Sequence, residues 1–235
     1  MHKRKRIARD VERRIIWRPF TIRKSSTKPI HIIKAQDEKL FDSKGKEYLD
    51  LISSWWVSIH GHRDANIIAA IKKQLNKFDQ ILFTDFSHTP ASNLAQRITE
   101  IMPNSLCRVF FSDNGSTAVE VSLKIAWQYW HNLGKKRKYF LTFKGDYHGD
   151  TFGSMSVGFS SGFFDPFKDL LFQVKEITFP YTWDGDSSVH RKETESLRQL
   201  ENILSNFGSD IAAFICEPIV QGSSGMRVCR TSFMK

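Results

Sequence analysis

The stretch Cys107-Arg108-Val109-Phe110-Phe111-Ser112-Asp113-Asn114-Gly115-Ser116-Thr117-Ala118-Val119-Glu120 decides the fold class of this 235-residue chain. Cys107–Phe111 is a short apolar run that predicts a strand. Ser112–Ser116 is a polar turn containing glycine, and Thr117–Leu133 reads as a long helix with Gly134 as its stop. A strand that passes through a tight turn into a helix leaves backbone N–H groups unpaired at the helix start. The helix dipole favours an anion there, and the Ser116 or Thr117 hydroxyl adds a donor. Together these features predict a phosphate cradle. The same residues also fit a plainer reading, an N-cap in which Ser or Thr satisfies the first turn. The loop is neither a Walker A sequence nor a three-glycine dinucleotide fingerprint.

Downstream, the pattern repeats. Lys138–Phe143 predicts a second strand ending at Lys144-Gly145-Asp146-Tyr147-His148-Gly149. A Gly/Phe/Ser-rich region to about Pro166 reads as loop with a short helix, Glu193–Phe207 as a helix, and Ile211–Cys216 as an apolar strand ending at Glu217-Pro218. Strands alternating with helices predict an α/β domain around a mostly parallel sheet, with ligands at the carboxyl ends of the strands. Upstream, Ala65–Phe78 and Pro90–Met102 are amphipathic helices, and Ser53-Ser54-Trp55-Trp56 with His60-Gly61-His62 is a loop-like cluster. Ile30–Leu51 suits a small antiparallel meander. The arm before it predicts a short helix around Ile7–Trp17, broken by Pro19 and Pro29.

The net charge of +10 is concentrated in that arm. Residues 1–34 carry twelve Lys or Arg against Asp10 and Glu12, while residues 35–235 carry 23 basic and 23 acidic side chains. A neutral body excludes a uniformly basic nucleic-acid-binding domain. His2–Arg6 is a basic cluster whose usual meaning is a solvated tail, with a nucleic-acid or membrane-surface tether as the alternative. Three cysteines, Cys107, Cys216 and Cys229, show no metal or redox spacing. Cys107 and Cys216 stand beside apolar runs, which predicts buried thiols in a reducing compartment. Without an apolar segment after the basic start or a run long enough to span a bilayer, the chain reads as soluble and cytoplasmic.

Tyr147, at a strand's carboxyl end, can stack on a flat cofactor ring, with Gly149 allowing close backbone approach; a surface turn is the competing reading. Of the adjacent tryptophans Trp55 and Trp56, one is expected to pack and the other to face a different way as a pocket wall; the competing reading is that both cover the core edge. Glu217 is expected to accept hydrogen bonds or to act as a cap. There is no Gly-x-Ser-x-Gly elbow and no His-Glu-x-x-His zinc motif.

Several pieces occur in a set order. Trp17-Arg18-Pro19-Phe20-Thr21, Ser53-Ser54-Trp55-Trp56 with His60-Gly61, and Ser112 to Glu120 come first. Gln128-Tyr129-Trp130, Tyr147-His148-Gly149-Asp150-Thr151 and Glu217-Pro218-Ile219-Val220-Gln221-Gly222 follow. In these the chain resembles the adenosylmethionine–8-amino-7-oxononanoate aminotransferases of biotin synthesis, which are class III, fold-type I enzymes using pyridoxal 5'-phosphate. The resemblance implies that Gly115 and Ser116 hold the cofactor phosphate. It places Tyr147 against the pyridine ring and in contact with substrate, with His148 and Gly149 shaping that turn and Glu217 near the cofactor. Trp55 would line the pocket for the oxononanoate chain. Phe20 stands where many members carry a tyrosine, so apolar contact with substrate is expected there without a hydroxyl. S-adenosylmethionine and 8-amino-7-oxononanoate are the implied substrates and a homodimer the implied assembly, with no nucleic acid and no membrane as partners.

Residues 1–65 then correspond to the arm and a small-domain segment with short antiparallel strands, and residues 66–235 to an incomplete cofactor-binding large domain. The fold is expected to be truncated before its C-terminal half. The family's Asp-Glu segment and its Schiff-base lysine are expected beyond Lys235, so no catalytic residue is assigned within this chain, which alone is expected to be inactive. Arg227–Phe233 departs from the family, where an aromatic residue and a proline are usual. Another class III ω-amino acid or diamine aminotransferase, or a non-catalytic remnant, is the alternative.

Overall fold

The structure, a computed structural model, describes residues 15–19, 29–158 and 162–235. Most of the predicted arm helix and Phe20 lie outside the described residues. Two compact units form, residues 1–93 and 94–235.

In the first unit, β1 (Ile32–Gln36), β2 (Lys39–Asp42) and β3 (Glu47–Leu49) make the expected antiparallel meander. The Asp42 carboxylate accepts the amides of Lys44 (2.8 Å) and Lys46 (3.0 Å), which closes the β2–β3 turn. Ser53–Trp56 is a left-handed turn, with φ of 48°, 49°, 63° and 72° at successive non-glycine residues. Each such residue costs about 1–2 kcal/mol, so the surroundings must impose this conformation. Neither tryptophan packs inside: Trp55 is 65% and Trp56 63% exposed, against the expectation that one would be buried. Their backbones continue in one hand, so neither side chain is turned under the meander. Helix α1 (Ala65–Leu75) begins where the Asp64 carboxylate accepts the Ile67 amide at 2.9 Å. Helix α2 (Thr89–Ile101) follows.

The second unit is built on α3 (Gly115–Asn132), β4 (Tyr139–Lys144), α4 (Phe152–Val157), a 3-10 segment (Gly162–Leu170), β5 (Val174–Thr178), α5 (Val189–Phe207) and β6 (Ile211–Phe214). The strands form a parallel sheet in the order β5-β4-β6. Central β4 is buried from Phe140 to Phe143, as expected of a strand covered on both faces. On one face Leu123 of α3 and Val157 of α4 pack with Phe140 and Ala212. On the other, Leu200 and Ile203 of α5 pack against Leu141, Phe143, Ile177 and Phe179. The Trp130 indole donates to the Ala212 carbonyl (2.6 Å), and the Arg137 guanidinium lies 3.7 Å over the indole ring. A short hairpin, β7 (Val220–Gln221) with β8 (Arg227–Val228), closes the unit.

Three expectations are corrected. Cys107–Phe111 belongs to no sheet among the described residues, and Cys107 is exposed rather than buried. An apolar run becomes a strand only beside a partner strand, and none of the described strands pairs with it. The third correction concerns the cap of α3: Asn114, not Ser or Thr, is the N-cap, in a reciprocal box with Thr117. β5 and the β7–β8 hairpin were not legible, because Val174–Thr178 is half polar and each hairpin strand has only two residues.

Burial, reinforced by the nearby Asp146 carboxylate, pushes the Cys216 thiol up to about 11 from 9.0, and burial also raises Cys229. At pH 8, iodoacetamide should label Cys107 while Cys216 and Cys229 react only after denaturation, as read by peptide mass spectrometry. The neutral thiol is the form the fold favours. Its contribution to stability is therefore complete below pH 9.0 and lost as pH rises through about 11.

Candidate active site

The carboxyl end of β4 turns at Gly145-Asp146-Tyr147-His148-Gly149 and that of β6 at Ile215-Cys216-Glu217, while the N-terminus of α3 is hydrogen-bonded to the residues just after the β4 turn. The Ser116 hydroxyl accepts the Asp150 amide at 3.2 Å, and the Ser154 hydroxyl donates to the Ser116 carbonyl at 3.0 Å. Gly149, with φ of +120°, packs so tightly that a Cβ there would lie 1.9 Å from the Ser116 Oγ.

Glu217 joins the β6 end to the same place. Its two carboxylate oxygens accept the Tyr147 and Gly222 amides, each at 2.9 Å. It acts as an acceptor between two turns, one of the two roles expected of it. The Tyr147 hydroxyl donates to Asp150 at 3.1 Å, and its ring stacks on Phe164 with 20° between the planes. Burial and the neighbouring Asp150 raise the Tyr147 pKa, so the phenol remains a proton donor at neutral pH.

Gly115, Ser116, Tyr147, His148 and Glu217 thus come together in the second unit. Trp55 belongs to the first unit, and Phe20 lies outside the described residues. The His148 side chain is 7% exposed, and its Nε2 stands 3.6 Å from the Asp146 carboxylate without a hydrogen-bond partner among the described residues. It is turned into the protein beside Asp146.

Three supporting residues escaped the reading of the sequence. Asp146 is fully buried and accepts the Phe143 amide (3.2 Å), the Thr142 hydroxyl (3.2 Å) and the Gln221 side-chain amide (2.9 Å). Gln221, also fully buried, ties the hairpin to that carboxylate. Glu120, one turn into α3, accepts the Gly153 (2.7 Å) and Ser154 (3.2 Å) amides at the start of α4. Glu120 and Gln221 stand inside the quoted motifs, but nothing local marks either as a partner of residues 33–77 positions away.

Chemically, the arrangement suits a phosphate next to a flat ring. Among the described residues, the Gly115 and Ser116 amides have no acceptor, and no atom lies within 4 Å of a Cβ built on Gly115. Because the Ser116 oxygen accepts from Asp150, its proton is left to donate outward. Two amides, one hydroxyl and the positive end of an 18-residue helix are donors that could hold an anion. The residues present fit pyridoxal 5'-phosphate: Gly115 and Ser116 would hold its phosphate and Tyr147 would border its ring.

Comparison with known proteins gives the family of the chain. The family model for aminotransferase class-III matches residues 21–235. An adenosylmethionine-8-amino-7-oxononanoate aminotransferase of Synechococcus elongatus is 47% identical over 220 residues, 94% of this chain and 51% of that protein. Its counterpart in Geobacter sulfurreducens is 39% identical, covering 97% and 51%. The crystal structure of the Methanocaldococcus jannaschii enzyme of that name superimposes with a TM-score of 0.85 at 31% identity, over 98% of this chain and 51% of that one. A PLP-bound amine transaminase from an uncultivated Pseudomonas species gives 0.83 at 30% identity, over 93% and 51%. The chain spans about half the length of the relatives it matches.

Proposed function

Because the chain belongs to the class-III aminotransferase family, we propose that its residues serve the transfer of an amino group from S-adenosylmethionine to 8-amino-7-oxononanoate, giving 7,8-diaminononanoate. The observation that carries the reading is the junction of the Ser116 helix start with the turn that follows Tyr147–Gly149, where the first two amides of the helix have no acceptor among the described residues. Pyridoxal 5'-phosphate, when bound, supplies the electron sink and carries the amino group from donor to acceptor. The chain's own residues bind and orient. Gly115 and Ser116 anchor a phosphate dianion. Glu217 and Asp150 fix the backbone and hydroxyl of Tyr147, which holds a proton at its oxygen and borders the ring. Trp55, an exposed and rigid aromatic, forms the wall for the apolar oxononanoate chain, and Phe20 adds apolar contact. No residue of positions 1–235 is assigned the role of the family's cofactor-anchoring lysine. Residues 1–65 serve as arm and small-domain segment and 66–235 as the cofactor-binding portion, within a cytoplasmic homodimer.

The test is diaminononanoate formation, or rescue of a biotin auxotroph, by an enzyme of the relatives' full length that carries these residues. Soluble enzyme that does neither sinks the substrate assignment. The likeness to an amine transaminase favours one second reading, a related amino donor or acceptor on the same fold. Trp55→Ala separates the two. Losing a large apolar wall should cost an oxononanoate enzyme about 10–100-fold in kcat/KM. A small-diamine substrate should lose much less, and equal losses on both favour the second reading.

A further inference from the structure

The Trp55 reading leaves open what holds that side chain in place. Ser53, Ser54, Trp55 and Trp56 are all left-handed, a conformation that persists only when its surroundings impose it. Apolar packing does not impose it. Leu51, Ile52, Trp55, Trp56, Val57 and Ile59 are all at least 60% exposed. Beneath them lies a cavity of about 320 Å³, lined by Asp37, Asp50, Ser53, Ser58, His60 and His62 among others.

What does grip the loop is polar. One oxygen of Asp50 accepts the Ser54 amide (2.7 Å) and the Ser54 hydroxyl (3.0 Å), and the same oxygen lies 2.9 Å from His62 Nε2. Both clamp residues are themselves anchored to the meander. The Asp50 amide donates to Glu38 (2.8 Å), while His62 exchanges backbone hydrogen bonds with Asp37 at 2.9 and 2.7 Å. The Asp50 side chain is 6% and the His62 side chain 15% exposed, and the imidazole contact holds the Asp50 carboxyl below its ordinary range.

We propose that the Asp50–His62 pair is a clamp at the neck of loop 51–61 that presents Trp55 to the substrate, which makes Asp50 and His62 positioning residues for specificity. The proposal rests on the reading of Trp55 as a substrate wall. The clamp itself is tested without substrate, by residue-resolved hydrogen exchange on the 235-residue chain. In Asp50→Ala and His62→Ala, the Ser54, Trp56 and Ser58 amides should exchange about tenfold faster or more, as expected for losing a hydrogen bond to a charged group. The Asp42 and Ser43 amides, bonded within the meander, should keep their protection. His62→Gln retains a donor and should restore most of the loop's protection. If Asp50→Ala also loosens the meander, the His62→Ala and His62→Gln pair decides. Unchanged exchange at Ser54, Trp56 and Ser58 in His62→Ala, with the meander intact, overturns the clamp.

The link to specificity is read separately, in an enzyme of the relatives' length carrying these residues. Asp50→Asn should raise the KM for 8-amino-7-oxononanoate by a larger factor than it lowers kcat, and adding Trp55→Ala should produce no further rise. An additive double variant overturns the specificity role. A KM untouched by Trp55→Ala alone defeats the reading of Trp55, whatever the exchange experiment shows about the clamp.

Discussion

Gly149→Ala should separate the cofactor turn from the helix that faces it, with the largest effect of any single methyl group in the second unit. The new Cβ would stand 1.9 Å from Ser116 Oγ, 2.7 Å from its Cβ and 3.0 Å from its Cα, and the φ of +120° is itself disfavoured for any side chain. Rotating the serine relieves only the first contact, since the last is to backbone. Overpacking and backbone strain together are expected to cost about 3 kcal/mol or more. The Asp150-to-Ser116 hydrogen bond breaks with the displacement, so the Ser116 hydroxyl loses its orientation toward the proposed phosphate. A lowered urea midpoint and weakened retention of pyridoxal 5'-phosphate should appear together. Gly185→Ala is the control: its φ is +80°, but no atom lies within 4 Å of the new Cβ, so only the conformational cost of about 1–2 kcal/mol should be seen. Equal destabilisation by the two variants would show that the Ser116 contact is not what Gly149 is there to permit.

The second large effect is expected at Asp146. Its carboxylate is fully buried and serves three donors: the Phe143 amide, the Thr142 hydroxyl and the Gln221 amide. Thr142 and Gln221 also donate to the Val157 and Lys144 carbonyls. Asp146→Ala removes the anion and leaves buried donors facing a cavity, a loss of roughly 3–5 kcal/mol. Asp146→Asn keeps one carbonyl acceptor and should lose distinctly less. The measurement is equilibrium urea unfolding, in which the midpoint falls while the slope stays constant. Because Gln221 belongs to β7, the hairpin should also become more accessible to protease in Asp146→Ala. An unfolding free energy within about 1 kcal/mol of the parent in both variants would mean that the network contributes little, since that is the least that an unpaired buried donor costs.

Much of the fold was legible because its signals are local. The amphipathic periods of Ala65–Leu75 and Val189–Phe207, the capped start of Gly115–Asn132 and the apolar runs at Tyr139–Lys144 and Ile211–Phe214 each depend on neighbours a few residues away. Gly115, Ser116, Tyr147 and Glu217 stood out as candidates for a related reason, since ligands in parallel sheets gather where strands end and helices begin. Asp146 gave no such signal. In the sequence it is one more polar residue in a turn, and only its pairing with Gln221, 75 positions later, makes it a buried anchor. Glu120 and Gly153 are likewise 33 positions apart.

Read alone, the sequence carried the α/β class, the polar turn that opens helix α3, the Trp-Trp loop and the resemblance to class III aminotransferases. Those are properties of short windows, where propensity, capping and side-chain chemistry act on adjacent residues. Only the tertiary structure decided that Cys107–Phe111 joins no sheet among the described residues and that Cys107 is exposed. It also decided that both tryptophans face outward on a left-handed turn, and that Asp50 and His62 meet across loop 51–61. A strand exists only when another backbone completes its hydrogen bonds, and a carboxylate becomes a clamp or an anchor only when the fold buries it among donors. Both conditions depend on which distant residues come together, and short windows of sequence do not contain them.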